Sequence, residues 1–151
     1  MRDIAILANM PGMLALEPCC EAEVAAAVDF CVNRTELSCY LRLVSVPYRI
    51  PFTLPADYRM QLGRGVRLTE GSSAAIIAYG PVLTSEAVNA AGSMRDAGLS
   101  VRVINLPWLN RVDVDWLRGE MAGIQNVFTL DNHYLRSEEH TSELQSRFGI
   151  S

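Results

Sequence analysis

The sequence predicts an α/β fold: a three-layer α/β/α arrangement with mostly parallel sheets, split between two partial domains. Three observations carry that expectation. Half of the 151 residues are hydrophobic and a fifth are charged, a composition that builds cores. The second half reads strand, helix, strand, helix, strand with short connections, the pattern of a parallel sheet with crossover helices. The first half runs strand, helix, strand once, until a stretch rich in proline and glycine breaks the rhythm.

Each element has a local reason. "MPGMLALEP" sets an apolar run between a Pro-Gly turn and a proline, which predicts a buried strand over Met13 to Leu16. "EPCCEAEVAAAVDFCV" predicts a helix: Pro18 stands near its start, and Glu21 and Glu23 suit the positive end of the helix dipole. Val24, Ala27, Val28 and Cys31 recur at helical spacing and are expected to form its buried face. "LSCYLRLVSV", Leu37 to Val46, predicts a second buried strand.

From Pro47 to Gly71 no period is sustained. A stretch this long without regular structure is unexpected inside one compact domain, so it predicts a connector and then a short edge hairpin turning at Arg64-Gly65. "AAIIAYG", Ala74 to Gly80, predicts a buried strand. Thr84 is the expected N-cap of a helix reaching about Ala97, with Ala87, Val88, Ala91 and Met94 as its apolar stripe and Gly98 closing it. "SVRVINL" predicts the next strand, "DVDWLRGEMAGI" a helix, and "NVFTL" a third strand. The expected division is 1–47 for the end of a first domain, 48–71 for the connector and 72–135 for a truncated second domain.

The formal net charge of -4 favours neither nucleic acid nor an anionic membrane surface as a partner. No apolar run approaches membrane-spanning length and no basic-then-apolar leader follows Met1, so a cytoplasmic location is expected. The cysteines are Cys19, Cys20, Cys31 and Cys39. They form no CxxC pair and no Cys/His zinc spacing, so buried thiols are expected and no metal site.

In an open α/β sheet, ligands collect beyond the carboxyl ends of the strands. That directs attention to Tyr79-Gly80-Pro81, Pro107-Trp108 and Asp131-Asn132-His133. Asp131 and His133 are either a titratable pair at a site, or a turn cap and a surface residue. Trp108 is expected to pack at an interface rather than to stack on a ligand. Arg42 lies in an apolar run, where it either binds an acidic or phosphorylated substrate or pairs with a carboxylate to join two elements. Arg42 and His133 are therefore the candidate substrate-binding residues. No phosphate-cradling glycine loop and no nucleophile elbow is present, so no catalytic residue is expected here.

Several stretches resemble the C-terminal part of the transketolase family. "RDIAILANMPGMLALEPCCEAEV" resembles the end of its pyrimidine-binding domain, and "CYLRL" the Tyr-apolar-Arg-apolar strand near that domain's end. "GSSAAIIAYGPVLTSEAVNAA" and "GLSVRVINLPWLNRVD" resemble the opening of the family's C-terminal domain, and "NVFTLDNHYL" its next strand and loop. The resemblance implies a parent enzyme that transfers a two-carbon ketol unit with thiamine diphosphate and magnesium. It implies that the activating glutamate and the diphosphate-binding domain lie outside this segment, which alone is expected to hold no cofactor and to be inactive. Its partner would be a second copy in a homodimer, or a complementary subunit carrying the diphosphate-binding domain.

Where family members carry a second arginine soon after the first, this chain has Val44-Ser45-Val46, which puts sugar-phosphate specificity in question. The same domain pair occurs in beta subunits of 2-oxo acid dehydrogenases and in deoxyxylulose-phosphate synthases. A non-catalytic interaction module is the reading from a different class.

The end of the chain resembles something else. "RSEEHTSELQS", from Arg136, is similar to the conceptual translation of a common sequencing adapter, and the residues to Ser151 fit its continuation. Residues 136–151 are therefore expected to be an artefact and carry no functional expectation.

Overall fold

A computed structural model describes residues 3–45 and 47–132. The first part contains α1 (Asp3–Leu7), β1 (Met13–Leu16), α2 (Glu21–Asn33) and β2 (Ser38–Leu41). The strands β1 and β2 pair in parallel, Met13 opposite Ser38 and Leu16 opposite Leu41. The second part contains β3 (Val66–Thr69), β4 (Ala74–Ala78), α3 (Pro81–Asp96), β5 (Val101–Asn105), α4 (Val114–Met121) and β6 (Val127–Thr129). These four strands are ordered β3-β5-β4-β6. β4 runs parallel to β5 and to β6, whereas β3 lies antiparallel at the edge.

Alternation along the strands produces the three layers. Ala78, Val101 and Val103 face α3 and join Ala87 and Ala91 in one core. Ala75 and Ile104 point the other way and join Leu117 and Met121 of α4. Successive strand residues face opposite sides of a sheet, so a run that is apolar at every position covers both helical layers. This is the mixed, mostly parallel α/β architecture expected from the alternation of elements.

A third core joins the two sheets. Leu14, Leu16, Ala27 and Phe30 from the first part meet Met60, Leu106 and Trp108. Trp108 is buried, stands edge-on to Phe30 with ring centroids 5.1 Å apart, and donates from Nε1 to the Arg64 carbonyl at 2.9 Å. The expected packing role of Trp108 is the one observed. The segment that carries it runs along the free edge of β1. Glu17 N donates to Pro107 O, Leu109 N to Ala15 O, and Ala15 N to the Asn110 side chain.

Four local expectations are corrected. Helix α3 starts at Pro81 with Gly80 as its cap, not after Thr84. Proline is well suited to the first helical position, where its missing N–H costs nothing, and here that outweighs the capping preference of threonine. Thr84 is instead buried in the first turns and bonds Asn105 of β5.

The buried face of α2 is Glu23, Ala27 and Phe30, while Val28 is 47% exposed. A buried carboxylate displaces the apolar stripe by one position around the helix. The expected long buried strand over Leu37 to Val46 is only four residues, all half-buried or exposed, with Leu43 and Val44 outside it and exposed. Finally, no hairpin follows the connector. β3 pairs with β5, and Gly65 enters so close to β5 that a Cβ there would stand 2.1 Å from the Asn105 carbonyl oxygen.

Candidate functional site

The chain reverses direction across its sheet at β4: it leaves by α3 to β5 on one side, then returns by α4 to β6 on the other. With α3 and α4 on opposite faces, the crevice between the carboxyl ends of β4 and β5 is the place where such folds take ligands. Here the chain fills that crevice itself. Glu17, directly after β1, donates its N–H to Pro107 O at 2.9 Å, and its carbonyl accepts from Gly80 N at 3.2 Å. Its carboxylate rests against Gly80, where a Cβ would lie 2.2 Å from Oε1.

Gly80 has φ +67°, a left-handed conformation natural to glycine. The absent side chain thus makes room for the acid.

Arg42 follows β2 directly and points its guanidinium at this carboxylate. Nη1 is bonded to Glu17 Oε2, and Nε to Asp3 Oδ2 at 3.0 Å. The Glu17 side chain is 2% exposed and that of Arg42 15%. Tyr40 Oη adds a second donor to Asp3, at 2.9 Å.

Burial pushes the Asp3 carboxyl up, but the Tyr40 hydroxyl and the Arg42 charge outweigh it and hold the group at about 2. Glu17 goes the other way. Its burial, aided by the charges of Asp3 and Asp131, outweighs Arg42 and raises it above the usual carboxylate range. One guanidinium shared by two acids leaves the deeper acid undercompensated.

The loop after β6 closes the cluster. Tyr79 Oη donates to Asp131, and the Asn132 side-chain oxygen lies 3.4 Å from Arg42 Nη1. Burial, with the Asp131 charge beside it, raises the Tyr79 hydroxyl above its ordinary value. The structure therefore brings Arg42, Tyr79, Asp131 and Asn132 together at the carboxyl ends of both sheets. His133 lies outside the described residues. Sequence reasoning missed Asp3 and Glu17. Glu17 had a signal, as an acid directly after the apolar run "MLAL" at the carboxyl end of a strand; Asp3 had none.

A second polar network lies deeper. Glu23, fully buried, accepts from Cys19 N at 2.7 Å, Tyr58 Oη at 2.7 Å and Asn105 Nδ2 at 2.8 Å. It ties α2, the connector and β5 with no cation among these donors.

The element order and the mixed four-stranded sheet now meet a direct comparison. Residues 63–137 match the model of the transketolase C-terminal domain, a span that takes in β3 to β6. The chain belongs to the transketolase family. It is 30% identical over 80% of its length to an uncharacterized transketolase family protein of Sinorhizobium fredii, covering 34% of that protein. It is 27% identical over 88% of its length to one of the apulose-4-phosphate transketolase subunits of Phocaeicola vulgatus, covering 42% of it.

Among solved structures, a split gene transketolase described as an inactive beta4 tetramer superposes with a TM-score of 0.82 at 26% identity. That match takes in 97% of this chain and 48% of that one. This transketolase-family chain thus spans under half the length of these relatives.

Transketolase-family enzymes work with thiamine diphosphate. The described residues do not fit its diphosphate and magnesium. Among them no three His, Cys, Asp or Glu side chains gather to hold a metal ion. The two buried glutamates are committed to protein donors, Glu17 to Arg42 and Glu23 to Cys19, Tyr58 and Asn105. Among the described residues no helix is long and apolar enough to cross a membrane.

Proposed function

We propose that this chain is part of a thiamine-diphosphate-dependent, transketolase-like enzyme of the cytoplasm that transfers a two-carbon ketol unit. Residues 1–47 would close its pyrimidine-binding domain, 48–71 would connect, and 72–135 would begin its C-terminal domain. The cofactor would be held elsewhere, by a second copy or by a complementary subunit that carries the diphosphate-binding domain. Two relatives support a partner of that kind, one named as a subunit and one as a split-gene tetramer.

The observation that carries the reading is Arg42 bonded to the end of β1 while facing the loop after β6. It makes the carboxyl ends of both sheets one polar surface; Arg42 there, and His133, which lies outside the described residues, would be the substrate-binding residues.

The test is ketol transfer by the chain alone and after mixing with a protein that carries the diphosphate-binding domain, with thiamine diphosphate and magnesium present. Activity only in the mixture, lowered at least tenfold by Arg42→Ala, is expected. Full, cofactor-saturable activity of the chain alone would refute the division of labour.

A second reading, a 2-oxo acid dehydrogenase beta subunit, draws on Arg42 itself. Two acids already neutralise it, and Val44-Ser45-Val46 supplies no second cation for a phosphate. Turnover of a 2-oxo acid in place of a ketose donor would select that reading.

A further inference from the structure

An arginine and the start of a helix, brought together at the ends of strands, are the parts from which anion sites are built. Both stand in the crevice where this fold takes ligands. Gly80 caps α3, a helix of 16 residues whose first turn holds no acid of its own. Arg42 turns its guanidinium to the same place. The anion found there belongs to the chain. Glu17 sets one carboxylate oxygen against Gly80, in space that a Cβ would need, and bonds the other to Arg42 Nη1. Its side chain is 2% exposed.

The surroundings leave no charge for a second anion. Arg42 Nε is taken by Asp3 at 3.0 Å, so one cation already serves two acids. Burial, together with the charges of Asp3 and Asp131, holds Glu17 above the usual carboxylate range despite Arg42. A phosphate monoester carries more negative charge than one carboxylate at neutral pH. Beside Glu17 it would meet like charge in a site that salt screens poorly. A hydroxyl or carbonyl oxygen meets no such barrier. The guanidinium has donors beyond the two that serve the acids, and Tyr79 Oη and the Asn132 side chain stand on the same side.

We infer that Glu17 is a specificity-determining residue: it fills the anion site of Arg42 and α3 from within, admits the neutral polyhydroxyl end of an unphosphorylated sugar, and excludes the phosphate ester. That the ligand is a sugar rests on the ketol-transfer reading; the anion site and its internal occupant do not.

The test begins with the full chain alone. Inorganic phosphate is titrated at neutral pH and constant ionic strength. The unfolding midpoint is read for the unsubstituted chain, for Glu17→Ala, and for Glu17→Ala combined with Arg42→Ala. Phosphate should raise the midpoint of Glu17→Ala saturably. It should leave the unsubstituted and doubly substituted chains where chloride leaves them. Glu17→Gln keeps the bulk of the side chain and removes its charge. It should respond between the unsubstituted chain and Glu17→Ala, and it carries the test if the alanine variant does not fold. Equal responses in the unsubstituted chain and the variants, no response in either variant, or a response that survives Arg42→Ala would each overturn the inference.

A second arm uses the mixture with the protein that carries the diphosphate-binding domain. There the unsubstituted chain should favour an unphosphorylated ketose over its phosphate ester in kcat/KM. Glu17→Ala should move that ratio toward the ester by roughly tenfold or more. A ratio that does not move, or that favours the ester from the outset, would overturn the inference. A mixture inactive with every donor would count against ketol transfer, and the phosphate titration would still decide the role of Glu17.

Discussion

Glu17 sits in the space that a side chain on Gly80 would need: a Cβ there would stand 2.2 Å from Oε1 and 2.8 Å from the carboxyl carbon. The acid cannot swing away, because Arg42 holds its other oxygen and the side chain is 2% exposed. Gly80→Ala therefore adds a clash to an unfavourable left-handed φ of +67°. A loss of about 2–4 kcal/mol is expected from the two effects together. Removing the acid as well, in Gly80→Ala with Glu17→Ala, should recover part of it. A double-mutant cycle on urea midpoints reads the coupling, and strict additivity would contradict the contact.

Asp3 and Glu17 should bend the pH–stability curve in opposite senses. The folded value of Asp3 is about 2 against an ordinary 3.8, so its contribution is present above 3.8 and is lost as pH falls through 2. Glu17 is raised from 4.5, so its contribution is full below 4.5 and is lost as pH rises through the folded value. Asp3→Asn should flatten the acid limb of the curve. Glu17→Gln should make the decline above pH 4.5 shallower. Urea midpoints across pH check both, and a parallel shift of the whole curve would count against the assignment.

Glu23 is the hub of the deep network. Glu23→Ala would leave the Cys19 amide, the Tyr58 hydroxyl and the Asn105 amide without their acceptor in a buried site. A cost of about 3 kcal/mol or more is expected, against about 1 kcal/mol for Tyr58→Phe, which removes one donor and leaves the acid two. Equal losses in equilibrium denaturation would show that the hub is not the acid.

Trp108 carries the joint core. Trp108→Ala should cost about 3–5 kcal/mol, the range for a large buried aromatic. It should also remove the fluorescence of a buried indole and leave that of the half-buried Trp116. An unchanged emission maximum would contradict this placement.

The parts of the fold that depend on short-range pattern were readable from the residues. The run "MLAL" is β1 residue for residue, and Gly98 follows α3 with φ +81° as a terminating glycine should. What could not be read depends on contacts between residues distant in the chain. Glu23 was legible only as a first-turn acid suited to the helix dipole, because its donors Tyr58 and Asn105 lie 35 and 82 positions away. Arg42 presented two readings, and the choice hangs on Asp3 and Glu17, which lie 39 and 25 positions away. Hydrophobic periodicity records which face is apolar, but it cannot record a polar group buried by partners from elsewhere.

The free edge of β1 is completed by residues made much later. Ala15 N is satisfied by Asn110, 95 positions further on, and Asn110 Nδ2 returns bonds to Ala8 O and Met13 O at 3.0 Å. During synthesis the first strand must therefore wait with one side unpaired until the loop after β5 has left the ribosome. Its long-range pairing makes folding slow by topology, and a nascent chain halted before residue 107 exposes an apolar strand edge of the kind chaperones cover.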